Sequence, residues 1–473
     1  MSEFSDYFNF SERLLKRLRN KVDFSQINLE SSVSKGVWIT NGKLNIAEEG
    51  DEVLIGIRFS KKGKVGFVSS NLPNKFDIYD EVNRLSEKID RTSKFEINDI
   101  SPDVNAVNEK YEVRENGDKI EELNLDKLGK DANVISEYLQ EKKTKTNNVF
   151  FGVTLIRNVF MDSTGSLIES KIPLINSLVT LVIDELNPIT RYFQTGYTGT
   201  YSDLHSKLMD KLKDEINILH KVSKNTNKII PKKYNVVVGS EISGLMAHES
   251  VGHPLELDRV FGREQAQGGS SYFDKGDVSN RRRIGSDKVN IFDDPTISGS
   301  YGFYKFDSEG TKASKRKLID KGIVNSFLMD RSYARKIGMQ SNAALRSANA
   351  AAEPIIRMAN TYVEPDNITF EDLLEQAKDG IYIKSFNEWN INETRENQKY
   401  VGLEAYYIKN GKLGELIKDP VIEITTKSLW NNVAAVDKNL EFTAATCGKG
   451  DPMQGIPVFI GGPNMLIEGV TVY

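Results

Sequence analysis

The stretch His248-Glu249-Ser250-Val251-Gly252-His253 sets two imidazoles and a carboxylate within six residues of a chain that has only four histidines. Neutral imidazole nitrogens are zinc ligands, and a glutamate beside a ligand, itself uncoordinated, can accept a proton from an activated water. In the familiar helical version of such a motif the histidines stand at i and i+4, about 40° apart on one face at about 100° per residue. Here they stand at i and i+5, which on an ideal helix separates the rings by roughly 140°, too far round for one ion. The spacing therefore predicts either a widened, π-type turn or the end of the helix. Gly252 loosens the last turn and Pro254 biases its predecessor away from the α region, so His253 is expected as the last helical residue, turned back toward a metal.

Two histidines at this spacing also occur by chance. A third ligand decides the matter, because a catalytic zinc usually keeps three protein ligands and one open position. The candidate is Cys447, the only cysteine in the chain. A lone cysteine is most often a small buried hydrophobe. This one follows an alternating run, Leu440 to Thr446, that reads as a strand, and it precedes Gly448-Lys449-Gly450. A strand end opening into a glycine-rich loop is where a ligand or a close backbone approach is expected. The remaining histidines, His205 and His220, are 15 residues apart on one expected helix. That separation is about four turns, so they cannot share an ion and read as structural or solvated.

Together these residues resemble the TldD branch of the TldD/PmbA (TldD/TldE) metallopeptidases. The resemblance starts with HExxxH after the Val236-Val237-Val238-Gly239 strand end and continues through Phe292-Asp293-Asp294-Pro295, Asp307-Ser308-Glu309-Gly310-Thr311 and Phe327-Leu328-Met329-Asp330-Arg331. It goes on through Arg357-Met358-Ala359-Asn360-Thr361-Tyr362, Glu404-Ala405-Tyr406 and Thr446-Cys447-Gly448-Lys449 to Ile456-Pro457-Val458 and the tail Leu466 to Val472. It covers nearly the whole chain and is weaker before Tyr201. What it implies is a zinc peptidase with ligands His248, His253 and Cys447 and with Glu249 as general base. It also implies a heterodimeric partner, a TldE/PmbA-like subunit that lacks the metal motif and helps enclose the site, so that unstructured peptides enter and globular proteins do not. A homodimer is the other possibility for the pairing. One departure stands out: many bacterial TldD-like chains carry an Arg-rich, Gly-containing segment where this chain has Ser341 to Ser347 followed by the plain run Asn349-Ala350-Ala351-Ala352. Substrate contacts made there in relatives do not carry over. A zinc hydrolase of a non-peptide amide would use the same ligands, and a non-catalytic binding subunit would make the motif dispensable.

These residues need elements to position them. A helix is expected over Ser11 to Lys21, then strands Val37 to Thr40, Lys43 to Ala47, Glu52 to Phe59 and Lys64 to Ser69, forming a small antiparallel sheet. A helix over Phe76 to Ile89 and a linker over Arg91 to Pro102 follow. Strands Asn148 to Asp162 and Leu167 to Ile183 read as a hairpin turning at Ser163 to Ser166. The helix Ser202 to His220 carries an apolar stripe of Leu204, Leu208, Leu212, Ile216 and Leu219. Beyond Tyr234 short strands and glycine turns dominate, with a single later helix near Phe370 to Lys378. The expected fold class is α+β, with helix-plus-antiparallel-sheet regions over 1–90 and 91–222 and a mostly antiparallel β domain over 228–473 carrying the metal-site helix.

Composition narrows the function. Lys plus Arg number 63 against 67 Asp plus Glu, a net charge of −4, which speaks against a nucleic-acid-binding face; Arg281-Arg282-Arg283 reads as a solvated loop. One cysteine excludes an intramolecular disulfide and suits a reducing, cytoplasmic compartment. The first residues lack a basic start followed by an apolar stretch, and no window approaches about 18 apolar residues, so neither a signal peptide nor a membrane span is expected. For the developing oxyanion the residues considered are Arg331, Tyr333 and Lys449.

Overall fold

A computed structural model of the chain describes residues 2–71, 78–91, 99–102, 105–265 and 269–473. The fold is α+β and its sheets are largely antiparallel.

The first helix runs over Ser2–Leu18, nine residues earlier than the leucines alone suggest. Tyr7, Ser11, Leu14, Leu15 and Leu18 are its buried positions, and Phe4, Phe8 and Phe10 pack against the same cluster. The aromatic residues thus carry the helical stripe back to the start. The expected linker over Arg91 to Pro102 and the start of the expected helix at Phe76 fall largely outside the described residues; that helix is seen over Ile78–Arg91.

The strands that follow are longer than hydrophobic alternation indicates. Phe24–Thr40 pairs along its whole length with Lys43–Lys61, from Phe24↔Ser60 to Thr40↔Lys43. The polar stretches within these strands face each other across the ladder. Lys35 is opposite Glu49, and their side chains form an ion pair at 3.2 Å. Cross-strand charge thus replaces apolar packing. Asn41 and Gly42 both take positive φ, +48° and +75°, as a two-residue hairpin turn requires.

The second expected strand set continues this sheet. Phe24–Thr40 pairs on its other edge with Thr146–Asp162, which pairs with Leu167–Ile183, and Lys64–Ser70 beside Lys43–Lys61, Asn108–Glu112 and Ile189–Thr198 complete seven strands among the described residues. The turn between Asp162 and Ser166 is held by the Asp162 carboxylate, which accepts from the N–H groups of Thr164, Gly165 and Ser166 at 2.8, 3.1 and 3.1 Å. The helix Leu204–Lys224 buries the stripe read from its sequence. It shares a core with a helix not anticipated, Leu125–Glu141, whose start is capped by the Asn124 side chain accepting from Lys127 N–H.

Among the described residues the rest of the chain forms two main sheets and a two-stranded one. One has nine strands, with Lys232–Val238 between Met465–Val472 and Gly380–Ile383. The other has six, ending in Gln454–Gly462 and the edge strand Glu441–Lys449. The helix Ser240–Ala247 leaves the first sheet and packs against the second in one large core that includes Met246, Val251, Cys447 and Val458. The later helix lies at Phe370–Ala377 with a capping box of Thr369 and Asp372, and it is not single. Arg331–Lys336 and Thr426–Asn431 are also helical; at six residues each they are too short to show a period. Among the described residues no helix is long and apolar enough to cross a membrane.

Candidate metal centre

The helix Ser240–Ala247 widens into a π segment over His248–Gly252 before a 3₁₀ turn, His253–Leu255. The bond that makes the widening is informative: the N–H of His253 donates to the carbonyl of His248, an i+5 to i closure between the two histidines themselves. A wider turn removes the angular mismatch of an i, i+5 pair. The two rings lie with centroids 5.0 Å apart and planes at 82°. One expectation is corrected here. His253 takes α-type angles, φ −59° and ψ −45°, and opens the next turn rather than ending the helix. The π closure has already done the realignment that Pro254 was expected to force.

Gly252 is needed for a different reason from looseness. Its φ of −57° is open to any residue, but a Cβ there would lie 1.9 Å from Sδ of the fully buried Met358. Gly252→Ala is therefore expected to destabilise the fold by about 1–3 kcal/mol, the usual range for overpacking, read as a lower midpoint in denaturant unfolding. An unchanged midpoint would contradict the close approach.

Hydrogen bonds from distant elements fix the widened turn. The buried Trp430 donates from Nε1 to Ser250 Oγ at 2.9 Å, Ser250 Oγ donates to the Met246 carbonyl at 2.6 Å, and Tyr272 OH donates to the Ser250 carbonyl at 2.7 Å. Backbone groups disturbed by the change of helical type are thus satisfied without water.

Cys447 comes to the same place from the edge strand. The strand runs through it, over Glu441–Lys449, with Cys447 opposite Ile456, so the cysteine is a strand residue and the loop begins three positions later, at Gly450. Arg357 fixes this stretch by donating to the Cys447 carbonyl, and to the Gln454 carbonyl at 3.1 Å. Ligand atoms of His248, His253 and Cys447 all lie within 4.8 Å of one another, and Cys447 Sγ is 3.4 Å from His253 Nε2. Tetrahedral zinc with bonds of about 2.0–2.3 Å needs donor separations of roughly 3.3–3.6 Å. Among the described residues the Nδ1 of His248 is buried with no hydrogen-bond partner, a lone polar atom that an ion would satisfy. The donor chemistry suits zinc, and the Cys447–His253 separation matches a tetrahedral site.

The charge states agree with ligand duty. Burial pulls both imidazoles below their ordinary value, so they are neutral donors. Burial pushes the Cys447 thiol up, but the neighbouring His253, its hydrogen bond and Arg357 outweigh it and bring the thiol to about 7. Glu256 holds His253 Nδ1 at 3.1 Å and also accepts from Arg259 Nε at 2.7 Å. Burial raises the Glu256 carboxyl, yet Lys449, His253 and Arg259 together hold it well below the ordinary range. A charged Glu256 fixes the proton on Nδ1 and leaves the Nε2 lone pair toward Cys447. Lys449, considered above for the oxyanion, is instead buried against Glu256 at 3.1 Å and Asp258 at 2.7 Å. Arg331 lies among Asp307 and Glu309, and Tyr333 packs on Phe261. His205 is exposed, and His220 bridges Glu185 and the Lys142 carbonyl. The Arg281 to Arg283 run is exposed.

Glu249 is outside the three-ligand cluster but next to it in sequence, and its Oε2 accepts from Arg395 Nη1. Two residues here were missed in the sequence. Glu256 was open to reading, three positions after His253. Arg395 was not, being 146 residues from Glu249 with no local mark.

A family model for the PmbA/TldA metallopeptidase C-terminal domain matches residues 231–473, more than half of the chain, and the model for domain 1 of the same family matches 26–92. The chain belongs to the TldD/PmbA metallopeptidase family. It is similar over its length to a metalloprotease of Methanocaldococcus jannaschii, at 28% identity over 458 residues, covering 95% of this chain and 96% of the relative. A zinc metalloprotease TldD homolog of Saccharolobus solfataricus is 24% identical, with 95% and 96% covered. In fold it resembles TldE of Thermococcus kodakarensis, with a TM-score of 0.72 at 16% identity, covering 98% and 99% of the two chains. A Thermotoga maritima protein described as a candidate modulator of a DNA gyrase has a TM-score of 0.78 at 16% identity, covering 99% of this chain and all of its own.

Proposed function

We propose that this chain is a zinc-dependent peptidase of unstructured peptides, in the cytoplasm, acting as the catalytic half of a pair with a TldE-like sister subunit. The observation that carries the reading is the convergence of His248, His253 and Cys447 within 4.8 Å, with Glu249 beside them and outside the cluster. One relative is named a zinc metalloprotease, which supports the choice of ion.

His248, His253 and Cys447 would hold the zinc as two neutral imidazoles and a thiolate. When bound, zinc supplies a Lewis acid that lowers the pKa of water toward neutrality. Glu249 takes the proton of the attacking water as the peptide carbonyl is attacked, and passes it to the leaving amine. Its Oε2 is held by Arg395, and Oε1 has no hydrogen-bond partner among the described residues, which leaves an oxygen free for the transfer. The Glu256 carboxylate keeps the His253 ring in the ligating tautomer.

A sequence-tolerant site needs enclosure to spare folded proteins. The TldE fold, so close to this one, is a natural second half for such an enclosure. The purified chain alone is expected to show weak peptidase activity, and adding the sister subunit should raise cleavage of short unstructured peptides while a stably folded protein stays intact. A folded protein cut as fast as its denatured form would contradict the enclosure. Full activity from a chain shown by light scattering to be alone or self-paired would contradict the need for a different partner.

A further inference from the structure

Among the described residues Glu249 has one polar side-chain partner, Arg395, and its place is fixed by several hydrogen bonds. Arg395 sits at the tip of the hairpin formed by Phe386–Ile391 and Asn397–Gly402. Its φ of +66° lies in the left-handed region, as at other hairpin turns of the chain such as Asn41 and Lys62. The tip is tied down residue by residue. Arg395 N–H donates to the Asn392 carbonyl at 3.0 Å, and the Asn392 side chain accepts from the N–H groups of Glu396 and Asn397 at 2.8 and 3.0 Å. Thr426 N–H donates to the Glu396 carbonyl at 2.8 Å, and Thr426 Oγ1 donates to the carbonyl of Arg395 itself.

Thr426 begins the helix Thr426–Asn431, and that same helix carries Trp430, whose indole holds Ser250 in the π turn. One short helix therefore braces both the segment bearing Glu249 and the turn bearing Arg395. The side chains of the pair are only 9% and 17% exposed. A buried ion pair contributes little net stability after desolvation, so a pair held between two braced segments is better explained by geometry than by stability. Glutamate has three side-chain torsions, and gripping one oxygen removes most of that freedom.

We infer that Arg395 is a positioning residue for the reaction, holding Glu249 Oε2 so that Oε1 stands ready as the proton acceptor. The inference rests on Glu249 being the general base, and the experiment separates the two. In the zinc-loaded chain with its sister subunit, Arg395→Ala should lower kcat by about 10- to 100-fold, the scale of a misplaced catalytic group, with KM and zinc content unchanged. Arg395→Lys, which restores a cation on a different stem, should recover part of the loss. The decisive readout is the double variant. If Arg395 acts through Glu249, Glu249→Gln/Arg395→Ala is no slower than Glu249→Gln alone. Multiplying losses, wild-type kcat in Arg395→Ala, or loss of zinc along with activity would each overturn the positioning role. Near-normal turnover of Glu249→Gln by itself would instead overturn the general-base reading beneath it.

Discussion

Replacing His253 or Cys447 by alanine should leave a folded chain that binds almost no zinc and hydrolyses peptides at background. The expectation follows from the arithmetic of the site: three protein ligands are the usual minimum for a catalytic zinc, and two leave an ion that dissociates on purification. The two variants probe different structural claims. His253 depends on the π closure to His248 and on Glu256, so its loss removes the end of the motif that the sequence spacing placed furthest out of line. Cys447 depends on an edge strand from the other end of the chain. Its side chain is small and the Arg357 bond is to its carbonyl, so alanine should keep the strand while deleting the sulfur. Metal analysis of the purified variants checks this, with circular dichroism to confirm the fold. Full zinc in Cys447→Ala would remove the cysteine from the ligand set.

Glu249→Gln is expected to behave oppositely, keeping the zinc and losing turnover by roughly two to four orders of magnitude. Glutamine has the shape of glutamate and its carbonyl oxygen can still accept from Arg395, so the side chain should stay where it is. What it lacks is the ability to take a proton. Steady-state rates on an unstructured peptide, normalised to zinc content, give the number. Turnover near that of the unaltered chain would mean that another group moves the proton.

The site was more legible in the sequence than the scaffold around it, for physical reasons. An i, i+5 histidine pair has few backbone solutions, so the spacing leaves a π turn or a helix end, and the structure takes the first. His253 does not end the helix because the preference against α angles before Pro254 is modest and the hydrogen-bonded π closure overrides it. Cys447 was read at a strand end because its neighbours Gly448 and Gly450 signal turns, whereas pairing with Gln454–Gly462 carries the strand past Gly448. In the amino-terminal sheet, apolar alternation fails across Ser32 to Gly36, where Ser32, Val33, Lys35 and Gly36 stand opposite Glu52, Asp51, Glu49 and Glu48 on Lys43–Lys61. Such pairing is a property of two strands, and neither strand shows it alone. Arg395 is the extreme case, since only the closure of a hairpin over the π turn gives it meaning.

The central claim, that His248, His253 and Cys447 hold a zinc beside which Glu249 does the proton transfer, is tested most directly by measuring zinc content and peptide turnover on the same samples of the unaltered chain, Cys447→Ala and Glu249→Gln. The account predicts about one zinc per chain with activity in the first, neither in the second, and zinc without activity in the third. Activity that persists in Cys447→Ala with no zinc bound would contradict it.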